Sequence, residues 1–320
     1  MILVKKRISL ILVTICFITL FSPHTLALED RTIIINNHNI SISQKEYSNL
    51  QSLGYSDYQI KNMNEDEFEL NKNLSAVKIA ESSKYIKVVE YYDTEEFNNY
   101  YGDNAEKSRT VSITIPIPIY IEEVELTKEQ YLIESAIKSE PQVVQFPKAT
   151  RSDRIANATA TSSYKVMHTG ILKLGTGQYR VRNDLIWTQM PVNRGEDLLK
   201  TQVSKNVIPN DDTRYGKQMW TLCNGNDCIE DEQIYKSTSS KWVTGGLYDR
   251  TLQPNLKDDE WIGLKYYNVT FLQVYMWYDL TKNYSGTINV LDAYGEYKHL
   301  RTDGYDSMPQ THAQATGVNW

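Results

Sequence analysis

The sequence predicts a two-part chain: an α+β N-terminal part with short helices, then a mainly-β antiparallel domain of sandwich or jelly-roll type. Three observations carry this prediction. All six tryptophans lie after residue 150. Residues 29–150 hold 12 Lys and Arg against 21 Asp and Glu, a net of −9, whereas residues 151–320 hold 19 of each and are neutral. Between the two compositions, residues 148–163 are small, polar and aperiodic, as a linker is. The expected division is therefore a leader over 1–27, an acidic region over 28–147, the linker, and a β-sandwich-like domain over 164–320.

Lys5, Lys6 and Arg7 precede an apolar run over residues 8–21, and Thr25-Leu26-Ala27 ends it with small residues. That order is a secretory signal peptide cleaved after Ala27. The run is shorter than the ~20 residues a membrane span needs, and Cys16 lies inside it as an apolar passenger. The expected location is extracellular.

The acidic region opens with a strand over residues 31–35. Ser43-Gln-Lys-Glu46 has capping-box spacing, with Tyr47, Leu50 and Leu53 on one helical face, and Gly54 stops that helix. Ser56 caps a second short helix carrying Ile60 and Met63. Asn64 caps a third, with Phe68 inward and Glu65, Asp66 and Glu67 at the end where the helix dipole favours negative charge. Such a module serves either as a packing cap or as a docking module. Strands follow over 85–92 and 111–121. In the second of these, every odd residue is Val or Ile, and Pro116 and Pro118 make it an edge strand or an extended arm. Thr127 caps a helix running to about Ser139. Arg151 and Arg154 offer sites to a trypsin-like protease, so the region reads either as a removable pro-segment or as a permanent acidic domain.

The second part reads as strands over 164–174, 178–190, 217–223, 229–236, 261–267, 269–280 and 287–300. Gly175-Thr-Gly177 turns the first two into a hairpin, and residues 283–286 separate the last two in the same way. Cys223 and Cys228 are the cysteines outside the leader, and an exported pair across an Asn-Gly turn reads as a disulfide. No second Cys pair or His cluster completes a zinc site. The run Asp227, Glu230, Asp231, Glu232 lacks the spacing of a calcium loop, so a solvated turn is favoured over calcium binding. No cofactor is expected.

Residues 47–68 (YSNLQSLGYSDYQIKNMNEDEF) resemble a segment of an uncharacterised family of secreted proteins from spore-forming Gram-positive bacteria. Tyr164-Lys-Val-Met-His-Thr, Tyr179-Arg-Val-Arg-Asn, Trp187-Thr-Gln-Met-Pro191, Asp279-Leu-Thr-Lys-Asn283 and Ala293-Tyr-Gly-Glu-Tyr-Lys-His299 are similar to it as well. The resemblance implies export and a β-rich C-terminal part, and it brings no catalytic residues.

Of chemistry, the chain carries no Gly-x-Ser-x-Gly, no His-Glu-x-x-His, no phosphate loop and no dinucleotide fingerprint. It carries no basic patch with interleaved aromatics, so nucleic acid is not an expected partner. The exported histidines are His38, His168, His299 and His312. His168 and His299 would be neighbours if the first and last strands paired, although isolated surface or half-buried positions are the commoner case. Paired carboxylates hydrolyse glycans when they face each other across the sugar. Asp184, Asp279, Asp292 and Glu296 lie in strand-like stretches, and Asp292 and Glu296 share a face. The stretch 271–280 is the most suggestive. Its even positions, Leu272, Val274, Met276, Tyr278 and Leu280, read as core. Its odd positions, Gln273, Tyr275, Trp277 and Asp279, are aromatic with polar groups. Turned outward, Tyr275, Trp277 and Gln273 would bind a sugar ring or a partner protein; turned inward, they would pack under a second layer. The leading expectation is a secreted, non-catalytic binding protein for a glycan or another cell-envelope component. The alternatives are a glycan-cleaving enzyme using carboxylates such as Asp279 and Glu296, and a toxin-like β protein contacting membranes through residues 111–121.

Overall fold

A computed structural model of the chain describes residues 33–101, 118–137, 140–145, 157–191, 194, 196–283, 287–298, 300–301, 304–305 and 310–318. They divide into two compact units after Ala76.

In the first unit, strands β1 (Ile33–Ile35) and β2 (Ser41–Ser43) form an antiparallel pair. The buried Asn36 shapes the connection between them. Its side chain accepts from the amides of His38 and Ile40, each at 3.0 Å, and donates to the Met63 carbonyl at 2.7 Å. Helices α1 (Gln44–Ser52), α2 (Asp57–Lys61) and α3 (Glu65–Asn71) follow, capped by Ser43, Ser56 and Asn64 as their spacing predicts. Each cap accepts the amide three residues on, meeting a donor that the helix itself leaves open. Gly54 takes φ +86° just past the C-cap Leu53 and ends helix α1. Ile42, Leu50, Leu53, Ile60, Met63 and Phe68 are buried.

The second unit is built almost wholly of strands. In chain order they are β3 (Val77–Asp93), β4 (Tyr120–Leu126), β5 (Gln142–Gln145), β6 (Asn157–Gly175), β7 (Gln178–Gln189), β8 (Leu198–Val203), β9 (Val207–Pro209), β10 (Tyr215–Asn224), β11 (Asp227–Lys236), β12 (Trp242–Val243), β13 (Asp249–Leu252), β14 (Glu260–Ile262), β15 (Lys265–Lys282), β16 (Val290–Lys298), β17 (Leu300–Arg301), β18 (Gly304–Tyr305) and β19 (Thr311–Thr316). Helix α4 (Thr94–Tyr101) follows β3, and α5 (Lys128–Ser135) follows β4 under a Thr127–Gln130 capping box. A ten-stranded sheet runs β11-β10-β15-β7-β6-β3-β4, with β14 and β9 on β15 and β5 on β6; a five-stranded sheet runs β12-β13-β8-β16-β19. The pairings within both sheets are antiparallel.

Side-chain alternation then fixes the core. Met167, Ile171, Val181, Leu185 and Trp187 of the large sheet share one cluster with Leu199, Val203, Leu291, Ala293 and Tyr297 of the small one. The rings of Trp187 and Tyr297 meet edge to face across the two sheets at 6.2 Å. The fold is thus the antiparallel β-sandwich the sequence predicts.

Two polar groups sit inside that core. Around Gly295 of β16, Thr169 Oγ1 lies 2.5 Å from Thr311 Oγ1 and 3.2 Å from Asn183 Oδ1, and Asn183 donates to the Lys200 carbonyl at 3.0 Å. Near β4, Lys165 is fully buried, with its ammonium 2.8 Å from Glu123 Oε1 and 5.1 Å from the ring centres of both Trp187 and Tyr297.

The boundary differs from the sequence expectation. The units part after Ala76, and the expected linker enters the large sheet: residues 157–163 begin β6 and pair with both β3 and β5. Ala158, Thr159 and Ser163 are buried there, so small polar residues serve a crowded interior strand and mimic linker composition. The last two long strands also do not form a hairpin, because β15 belongs to the large sheet and β16 to the small one. Of the isoleucine-alternating stretch, residues 111–117 lie outside the described residues; Tyr120 and Ile121 begin β4, which continues through Leu126.

Candidate ligand-binding face

The outward face of the small sheet gathers polar and aromatic side chains at adjoining positions. On β16 the alternation that sends Leu291, Ala293 and Tyr297 inward sends Asp292, Tyr294 and Glu296 outward. On β8 the same rule turns out Lys200 and Gln202, and on β19 His312 and Gln314. Register aligns Tyr294 with His312 on one side and Gln202 on the other, Glu296 with Lys200, and Asp292 with Gln314.

The Tyr294 and His312 rings stack at 4.2 Å and 13°. Asp292 Oδ1 holds His312 Nε2 at 2.9 Å and the Gln314 amide at 2.8 Å. Lys200 Nζ stands 3.7 Å from Glu296 and 3.6 Å from Asp249, and Lys298 reaches Glu296 at 3.3 Å. Lys200, Gln202, Tyr294, Glu296 and Gln310 line a cavity of about 230 Å³. With His312 stacked on it and Gln202 opposite, the Tyr294 ring is held upright beside donors and acceptors of both kinds. It remains 36% exposed.

The carboxylates singled out in the sequence separate into two sets. Asp292 and Glu296 do share this face, but each is engaged separately, Asp292 by His312 and Gln314 and Glu296 by Lys200 and Lys298. Asp184 and Asp279 lie on the outer face of the other sheet. Arg182 grips Asp184 through Nε at 2.7 Å and Nη2 at 2.8 Å, and Arg180 grips Asp279 through Nε at 2.7 Å. The expected partners Asp279 and Glu296 therefore stand on different sheets, and that pairing is corrected. Glu296 instead meets Asp249 across the Lys200 ammonium.

Gln273, Tyr275 and Trp277 do alternate against a buried even set, but they are not open to solvent: their exposures are 3%, 0% and 3%. The cause lies on neighbouring strands. The Arg180 guanidinium covers the Trp277 ring at 3.7 Å while Tyr215 stacks on it at 5.4 Å and 18°. Arg182 covers Tyr275 at 4.7 Å, and Gln273 turns to Asp184 at 3.5 Å. Faces occupied by guanidinium and phenol are not offered to a sugar.

The remaining expectations resolve as follows. Cys223 and Cys228 form a disulfide with Cα atoms 4.2 Å apart. His299 lies outside the described residues. His168 is half-buried on β6, where its Nδ1 meets Ser83 Oγ at 2.7 Å, and desolvation holds its imidazole below the usual pKa. A depressed folded pKa favours the neutral ring in the fold. Its contribution is complete above the unfolded value of about 6.5 and is lost as pH falls toward the folded one. The denaturation midpoint is expected to drop more steeply from about pH 7 to about pH 5 in the parent chain than in His168→Gln; equal slopes would clear His168 of any part in acid sensitivity. Among the described residues, no three His, Cys, Asp or Glu side chains cluster as metal ligands do, and Asp227 of the acidic run bonds Lys265 and Tyr267.

No family model matches the chain, and no curated protein does. Solved structures similar to it include adhesin and pilin domains. The collagen-binding subdomain of the Enterococcus faecalis surface protein ACE aligns over 44% of this chain and 89% of its own, at 9% identity and a TM-score of 0.25. The collagen adhesin of S. aureus aligns over 74% and 85%, at 7% and 0.23. The major pilin SpaD of Corynebacterium diphtheriae aligns over 70% and 57%, at 9% and 0.22. Likenesses at those scores carry no ligand or family to this chain.

The alternation that sets Asp292 and Glu296 on one face also turns Tyr294, between them, outward. Gln202, His312 and Gln310 give no such local signal, because only cross-strand register and packing bring them to Tyr294.

Proposed function

We propose that this chain is a secreted, non-catalytic binding protein that takes a hydroxyl-rich ligand, a glycan of the cell envelope, on the outward face of the small sheet. The observation that carries the reading is Tyr294: an aromatic ring stacked on His312 and bordering a cavity lined by two amides, a carboxylate and an ammonium. Sugar rings bind through flat aromatic faces and through planar groups that both donate and accept. The cavity is below the ~300 Å³ at which drug-sized pockets begin, which suits a single sugar unit of a longer chain. Export is supported by the basic and apolar leader ending at Ala27 and by the disulfide.

The test is calorimetric titration with cell-wall fragments and a polysaccharide panel, with reducing ends assayed in the same samples. Saturable binding that weakens about tenfold in Tyr294→Ala is expected. Binding indifferent to Tyr294→Ala would remove this face from consideration. The runner-up, glycan cleavage, rests on Glu296 and Asp249 flanking one ammonium; reducing ends released by the parent chain and lost in Glu296→Gln would replace binding with hydrolysis.

A further inference from the structure

The second site is apolar and lies elsewhere, at the tip of the β14–β15 hairpin. Gly263-Leu264 is a two-residue turn with glycine first at φ +62°, the position that the mirror-image hairpin turns reserve for it. The turn carries Leu264 at its apex, 79% exposed, with Ile262 38%, Trp261 47% and Tyr266 37% exposed behind it. Trp261 and Tyr266 are directly opposed and their rings touch at 5.3 Å. Trp187, Trp220, Trp242 and Trp277 are all buried, so among the described residues Trp261 is the tryptophan that the fold holds out.

The tip is braced from beside it by the disulfide-closed turn. Asn224 donates to the Tyr266 carbonyl at 2.7 Å. Asp227 accepts from Lys265 at 2.9 Å and from the Tyr267 hydroxyl at 2.6 Å. The Cys223–Cys228 bond closes that turn, giving the staple a task its short loop denies it in entropy alone.

We propose that this tip inserts into the interfacial layer of a phospholipid bilayer, independently of the glycan reading. Size argues for lipid over protein. A stable protein interface covers about 800 Å² on each side, and four side chains that are already partly covered fall well short. Chemistry argues the same way. A leading Leu and Ile with Trp and Tyr behind them matches the order of depth across a membrane interface, where amphipathic rings settle at the headgroups. A braced loop has little ordering left to lose on insertion. The chain's net charge of −6 and the pairing of Lys265 with Asp227 give no electrostatic pull toward anionic lipid, so the apolar term alone drives binding.

The experiment is flotation of the exported chain, from Leu28 onward, with phosphatidylcholine vesicles, some containing brominated acyl chains. Co-flotation insensitive to salt is expected, with tryptophan emission quenched by bromine. Trp261→Phe should abolish the quenching. Leu264→Asp should lower the partition constant by about tenfold or more while leaving the thermal midpoint unchanged, because Leu264 is 79% exposed. Absence of flotation, flotation unchanged in Leu264→Asp, or quenching that survives Trp261→Phe would each overturn the proposal. So would a dimer in size-exclusion chromatography that Leu264→Asp disperses, since the tip would then serve a second copy.

Discussion

Gly295→Ala is expected to destabilise the second unit by about 3 kcal/mol, a large loss for a single methyl group. Gly295 lies on β16 of the small sheet, against Thr169 and Asn183 of the large one. A Cβ there would collide with Thr169 Oγ1 and stand 2.5 Å from Thr311 Oγ1 and 3.0 Å from Asn183 Oδ1. None of these atoms is at the end of a long flexible side chain. All three residues are fully buried, and each is held by hydrogen bonds that a shift would break. Urea denaturation checks the prediction. Adding Thr169→Ala should restore part of the loss, because the closest atom is then gone; simple additivity of the two changes would mean that the approach is looser than described.

The second large effect is an asymmetry. Glu123→Ala takes the carboxylate 2.8 Å from a fully buried ammonium, and breaking a buried pair in this way costs about 3 kcal/mol or more. Lys165→Met keeps the stem between Trp187 and Tyr297 and deletes the charge. It leaves Glu123, whose side chain is 20% exposed, with some access to water. A change within about 1 kcal/mol of the parent chain is expected. Denaturant midpoints of the two variants decide the matter: equal losses would make this an ordinary mutual ion pair.

Local chemistry was legible. Ser43, Ser56, Asn64 and Thr127 all cap the helices they announce, since capping involves residues three apart. The period of two in residues 271–280 gave the two faces of β15 correctly, and the Cys-bracketed turn gave the disulfide. Alternation, however, reports that a strand has two faces and is silent on what lies against each. The rings of Tyr275 and Trp277 are covered by Arg182 and Arg180 from β7, roughly a hundred positions earlier in the chain (99 for Arg180 and Asp279). The candidate face failed to show for the same reason, since Tyr294 is built into a site by Gln202 and His312 through register. The misread linker was a failure of composition: Ala, Thr and Ser fill both flexible tethers and tightly flanked strands.

The strand order has a kinetic consequence. The middle of the large sheet, β15-β7-β6-β3, is stitched by one local hairpin, β6–β7, and otherwise by partners far apart in sequence; Ser83 meets His168 across 85 residues, and Arg180 meets Asp279 across 99. Contacts of that range make β proteins slow folders, because each loop must close before any pairing rewards it. Until residues 265–282 have been made, the β7 edge that carries Arg180 and Arg182 stays open, and the small sheet lacks β16 and β19. The chain must therefore be nearly complete before its sandwich can close.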